Sequence, residues 1–150
     1  MTDFFFELIK NKIILSVLVA YLIAGFLKVL FHLIINKVLD IKLFLKTGGM
    51  PSSHSATVTA MTSILYLLEG FSNLFVVSFI VSCIVIADAL GVRRAAGKQA
   101  KVLNEIISEL FKNKNIKPEK LYEFIGHTPL QVIVGILIGI FSGNLVYYYF

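Results

Sequence analysis

Long apolar runs alternate with short polar ones along this chain, and the runs have the length of bilayer crossings rather than of strands. A helix needs about 20 mostly apolar residues to span a membrane. The first such run extends from Ile13 to Ile35 and is interrupted by Lys28 and His32. A second, Ser52 to Leu68, is shorter and opens with serines and threonines, so its entry faces other helices or water rather than lipid. A third, Gly70 to Ala87, carries no charge; nor does a fourth, Thr128 to Phe150, which closes on Tyr147-Tyr148-Tyr149-Phe150. Aromatic side chains gather at membrane–water boundaries in this way. Between the third and fourth runs, residues 88–123 are polar. Within them Ala95, Ala96, Gln99, Val102, Leu103, Ile106, Ile107, Leu110 and Phe111 recur at helical spacing, with Lys98, Lys101, Glu105, Glu109 and Lys112 off that stripe. The pattern predicts an amphipathic helix lying against the bundle or the membrane surface, then a turn around Asn113 to Pro118. The predicted fold is all-α: one integral membrane domain over residues 1–150, with about four transmembrane helices and one amphipathic helix on the cytoplasmic side.

Composition narrows the class further. Of 150 residues, 57% are hydrophobic and 15% charged, against about 25% charged in an ordinary globular protein. A soluble fold of this size cannot cover so much apolar surface, which excludes cytosolic, fibrous, disordered and disulfide-rich secreted classes. Cys83 stands alone, so there is no disulfide framework. No Cys/His cluster indicates zinc, and no cofactor is implied. The net charge of +5 is spread among acidic residues without an aromatic platform, so a nucleic-acid partner is not expected. It reads instead as loop charge. The loop 36–46 carries Lys37, Lys42 and Lys46 against Asp40, and 88–123 is rich in Lys and Arg. Four spans place both loops on one side, which the positive-inside rule makes cytoplasmic, with both termini outside. No small-residue cleavage site follows the first apolar run, so no signal peptide is expected.

Two segments carry candidate chemistry: Gly48-Gly49-Met50-Pro51-Ser52-Ser53-His54-Ser55 and Gly126-His127-Thr128-Pro129-Leu130-Gln131. Each sets a proline where an apolar run begins, the position at which a helix tolerates its missing N–H. A helix start presents free N–H groups and partial positive charge to an anion, and glycines let backbone come close to it. Plain helix capping explains either segment alone. Two such starts, each with a histidine and both at the cytoplasmic end, suggest a shared phosphate cradle. The segment Asp88-Ala89-Leu90-Gly91-Val92-Arg93-Arg94 adds cations: Asp88 at the end of a span requires a partner, and Arg93 or Arg94 is suited to bidentate phosphate contact. Lys46 is a further cation. Lys28 is another, its alternative being to snorkel toward headgroups.

Together with Leu103-Asn104, Ala95 to Ala100 and Gly126 to Val132, these segments closely resemble the small bacterial membrane proteins related to acid phosphatases and vanadium-dependent haloperoxidases. These form the divergent branch of the type-2 phosphatidic acid phosphatase superfamily, and the likeness runs from Lys28 to Gly143. The resemblance implies a bacterial inner-membrane, multi-pass protein. By its Pro-Ser-x-His motif it implies a general acid at His54, and a later nucleophile at His127 that forms a phosphohistidine. Where the superfamily has an aspartate four residues after the nucleophile, this chain has Gln131. Where it has an arginine six residues before, this chain has Leu121, and the Lys-x6-Arg-Pro motif is absent.

The candidate catalytic set is therefore His127, His54 and Gln131. The candidate phosphate-binding set is Lys46, Gly48, Gly49, Ser52, Ser53, Asp88, Arg93 and Arg94. The implied activity is a metal-independent phosphatase with a cytoplasm-facing site, acting on a lipid-linked phosphate or pyrophosphate among membrane lipids, with a homodimer as one arrangement. The competing reading, motivated by Gln131 and Leu121, is a non-catalytic protein that binds an anionic headgroup or serves as scaffold or transporter.

Overall fold

The computed structural model describes residues 7, 10–46, 48–112, 119–121 and 126–150. Among them the chain forms α1 (Lys12–Asn36), a 3-10 turn (Ile41–Phe44), α2 (Ser53–Glu69), α3 (Asn73–Leu90), α4 (Val92–Leu110) and α5 (Pro129–Tyr149), with no strand. The turn expected around Asn113 to Pro118 lies outside the described residues. Four of the five helix starts have a local cause, α4 after Gly91 being the one without a side-chain cap. Asn11, Ser52, Ser72 and Thr128 sit in extended conformation and accept first-turn N–H groups through their side chains, which satisfies donors that a helix cannot bond internally. Pro129 occupies the first helical position of α5. Pro51 does not do so for α2: it precedes the capping Ser52, and helix begins at Ser53. The serine oxygen that receives the Ser55 N–H sets this boundary, and the proline lies outside it.

The packing is inverted relative to a water-soluble protein. Large apolar side chains such as Leu22, Phe26, Phe79, Ile84, Leu137 and Phe141 face outward. Beside a few aliphatics such as Ile64 and Val146, the interior holds many small and hydroxyl residues: Ser16, Ala20 and Ala24 of α1, Ala56 and Ala60 of α2, Ser78 and Ser82 of α3, Gly139 and Ser142 of α5. Lipid is as apolar as leucine, so helices associate there by close approach and interhelical hydrogen bonds. Among the described residues, three stretches are long and apolar enough to cross a bilayer, Lys12–Asn36, Asn73–Leu110 and Pro129–Tyr149. This is an all-α membrane bundle.

At its centre lies α2, a helix of 17 residues packed against α1, α3 and α5. Its contact with α5 rests on glycines at every fourth position. A Cβ at Gly135 would stand 2.5 Å from the Ser52 carbonyl oxygen, at Gly139 2.5 Å from that of Ala56, and at Gly143 2.7 Å from Ser63 Cβ. The register advances in the same direction on both helices, so α2 and α5 run parallel with their starts side by side. Against α3 the glue is polar: Thr62 Oγ1 lies 2.8 Å from both Ser78 Oγ and Ser82 Oγ. α1 runs antiparallel to α5, since Lys12 Nζ donates to the Tyr147 carbonyl at 3.3 Å.

The amphipathic helix forms as α4, joined to α3 through Gly91. Gly97 and Ala100 are its buried residues, whereas Val102, Leu103, Ile106 and Leu110 remain about half exposed. Its apolar stripe therefore does not pack on the bundle.

Candidate active site

Because α2 and α5 start together, the segments 48–55 and 126–131 meet. The Ser52 N–H donates to the Gln131 carbonyl at 3.0 Å, and the His127 N–H donates to the Ala89 carbonyl at 3.2 Å, which brings the end of α3 to the same place. Gly126 lies directly on the Arg94 backbone, where any Cβ would collide. The His54 and His127 rings are consequently 6.5 Å apart between centroids, tilted by 57°. Imidazoles within about 7 Å of each other can hydrogen-bond separate oxygens of one phosphate at about 3 Å per contact. Both rings line a cavity of about 250 Å³ with Asp88, Ala89 and Arg93. Arg93 pairs with Asp88 through Nε, a contact that does not use its two terminal nitrogens.

The tautomer of His127 follows from its neighbours. Gln131 completes a capping box: its Oε1 accepts the Thr128 N–H at 2.9 Å, and its own N–H reaches Thr128 Oγ1. That first bond identifies Oε1 as the oxygen. His127 Nδ1 lies 3.3 Å from the same atom, so the tautomer that makes this a hydrogen bond is the one with the proton on Nδ1. In that tautomer Nε2 keeps its lone pair. His127 is buried, 3% exposed. Burial holds its protonation below the usual imidazole range; the Gln131 hydrogen bond and the Gly49 backbone oppose that, while the charges of His54 and Lys28 reinforce it. The ring is thus kept neutral near pH 7, as a nucleophile requires.

The remaining sequence candidates divide. Gly48 and Gly49 adopt φ of 87° and 83°, which only glycine takes without strain; with Lys46 and Gln131 they line a second cavity of about 580 Å³. Lys46 also pairs with Asp40 at 3.8 Å. The Ser52 hydroxyl is committed to capping, since it accepts from Ser55 N and Ser55 Oγ. Ser53 is buried, and among the described residues its hydroxyl has no hydrogen-bond partner. Arg94 is exposed and lines none of the cavities at the histidines, so of the two arginines it is Arg93 that the fold brings to the site. Leu121 is held by Asn104, which bonds both its N–H and its carbonyl.

Lys28 departs from the snorkelling alternative. It is 4% exposed, and its ammonium donates inward to the Lys46 carbonyl at 2.9 Å. The 3-10 turn arranges this: Phe44 packs over Gly25, where a Cβ would stand 2.6 Å from the ring, and meets Tyr21 edge-on at 5.7 Å. The Gly135-x3-Gly139-x3-Gly143 spacing, which sets the alignment of the two histidine helices, is visible in the sequence only as a stripe of small residues. Among the described residues no group of three or more His, Cys, Asp or Glu side chains is placed to hold a metal.

No solved structure matches the chain. A relative from Bacillus subtilis (strain 168), named uncharacterized membrane protein YuiD, is 40% identical over 156 aligned positions, covering 96% of this chain and 99% of the relative. The profile described as divergent PAP2 family matches residues 9–142. With the profile and the relative both spanning nearly its whole length, the chain belongs to the divergent PAP2 family.

Proposed function

We propose that this protein is a phosphatase of the bacterial inner membrane, acting on a lipid-linked phosphate through a phosphohistidine at a cytoplasm-facing site. The observation that carries this reading is the pair of imidazoles 6.5 Å apart on one cavity with Arg93. His127 Nε2 forms a bond to phosphorus while the bond from phosphorus to the leaving oxygen breaks. His54 gives that oxygen a proton. In the second step water attacks the phosphorus, His54 takes the water's proton, the N–P bond breaks and orthophosphate departs. Arg93 and the first-turn amides of α2 stabilise charge on the nonbridging oxygens, while Asp88 fixes the orientation of Arg93. Gln131 holds the ring tautomer without supplying negative charge.

The test is phosphate release from prenyl and glycerolipid phosphates by protein purified in detergent. Release that requires both His54 and His127, with an acid-labile phosphoenzyme absent from His127→Ala, supports the reading. Release indifferent to both substitutions, or none from any substrate, sinks it.

One feature favours a second reading, binding of an anionic headgroup without turnover: Gln131 provides no carboxylate to stabilise an imidazolium. In that case His127→Ala leaves the cellular phenotype intact, whereas Arg93→Ala abolishes it.

A further inference from the structure

Asn104 stands on α4, outside the cavity of the two histidines, yet it grips the segment that leads to His127. Its carboxamide pairs with both polar main-chain groups of Leu121: Nδ2 donates to the Leu121 carbonyl at 2.8 Å, and Oδ1 accepts the Leu121 N–H at 2.9 Å. The exchange of one donor and one acceptor with a single residue is what a partner in an antiparallel strand pair provides. Asparagine suits the task, since aspartate lacks the donor and glutamine is longer by a methylene.

Two further contacts anchor the same approach to α5. Gly126 lies so close to α4 that a Cβ there would stand 2.2 Å from Arg94 Cα. The His127 N–H donates to the Ala89 carbonyl at the end of α3. Gly97 and Ala100, the buried residues of α4, share a helix face with Asn104, whereas Val102 and Ile106 lie opposite and stay about half exposed. Among the described residues α4 packs on no helix of the bundle except α3, to which it is joined. Its more distant contacts are instead at Leu121 and Gly126.

We propose that Asn104 is the positioning residue of His127: by fastening Leu121 to α4 it keeps the His127 ring on the cavity shared with His54 and Arg93. Its consequence for turnover rests on the phosphatase reading above. Asn104 lines none of the cavities at the histidines. It acts through the main chain that joins Leu121 to His127. Without the clasp the ring leaves its buried place, and Nε2 is no longer aimed at phosphorus.

Two readouts on the full chain in detergent test this for wild type, N104A and N104D. The first needs no turnover: carbethoxylation of the three histidines by diethyl pyrocarbonate, followed by mass spectrometry. N104A raises the rate at His127 by about 10-fold, the local opening expected when two hydrogen bonds are lost. His54, on a helix that α4 does not touch, changes far less. N104D keeps the acceptor for the Leu121 N–H and falls between. The second readout is phosphate release. N104A lowers kcat by about 10-fold with KM nearly unchanged, because the nucleophile is misplaced while the anion contacts remain. Its acid limb moves up toward the ordinary imidazole value as burial of the ring is lost. Unchanged His127 reactivity in N104A, or equal increases at His54 and His127, overturns the proposal; N104D serves should N104A fail to fold. Selective exposure of His127 without phosphate release from any form leaves Asn104 as the residue that places His127 and removes the phosphatase. Release by wild type, with N104A unchanged in both readouts, does the reverse.

Discussion

The backbone N–H of Ser52 donates to the carbonyl of Gln131 at 3.0 Å, joining the cap of α2 to the third residue of α5. Neither residue is adjacent in sequence to the other's histidine-bearing segment, yet this bond places the two imidazoles on one cavity. Ser52 lies two positions before His54, and Gln131 four after His127. A shift of one helical residue, about 1.5 Å along either axis, would misalign the pair.

The glycine stripe of α5 maintains that alignment. Gly139→Ala sets a methyl 2.5 Å from the Ala56 carbonyl and 2.6 Å from Thr59 Cβ, both on α2. Separating the helices to relieve it costs about 1–3 kcal/mol. Unfolding in detergent and phosphate release are both reduced in the expected outcome. An alanine variant with wild-type stability would show that the close approach is not needed.

Thr62 serves α2 and α3 as a shared hydrogen-bond partner. Thr62→Val keeps the shape and deprives Ser78 and Ser82 of it. A loss of about 1 kcal/mol is expected, with activity retained because the cluster lies away from the histidines. Equilibrium unfolding with parallel assays checks both halves.

Gln131→Glu tests what the missing carboxylate is worth. Glutamate also suits the third position of a capping box, so the helix start survives. On the phosphatase reading, its charge stabilises the imidazolium formed at His127. Turnover is expected to rise about 10-fold or more, by analogy with the larger cost of replacing an orienting aspartate by an amide in serine proteases. Unchanged turnover would mean that His127 never gains charge.

The pH profile follows from burial of His127. Its folded protonation lies below 6.5, the ordinary value, so the acid limb of phosphate release falls below that pH. Below 6.5 the unfolded chain binds the proton first. The stability associated with the neutral ring is therefore full above 6.5 and is lost as pH falls through the lower, folded value. Melting of wild type and His127→Gln from about pH 5 to 8 reads this directly: wild type loses stability relative to the variant on acidification. Parallel curves would contradict it.

Arg93→Lys replaces a planar fork by a point charge next to Asp88. Vanadate inhibition is expected to weaken by about 10-fold because bidentate contact is lost, while Arg94→Lys, at a side chain outside the cavity, leaves it nearly unchanged. Equal effects would remove the distinction drawn between them.

What the sequence determined by itself is what short-range physics controls. Apolar runs of bilayer length, the capping Ser52 and Thr128, and the amphipathic period of α4 all act through neighbours within a turn or two. So the all-α membrane class and the two histidine-bearing helix starts were legible. The tertiary structure decided the rest: that α2 and α5 lie parallel with rings 6.5 Å apart, that Arg93 rather than Arg94 reaches the cavity, and that Lys28 turns inward. Inside a bilayer, hydrophobicity no longer says which face of a helix meets another. That choice falls to close contacts at Gly135, Gly139 and Gly143 and to hydrogen bonds between residues as distant as Ser52 and Gln131, which no local pattern encodes.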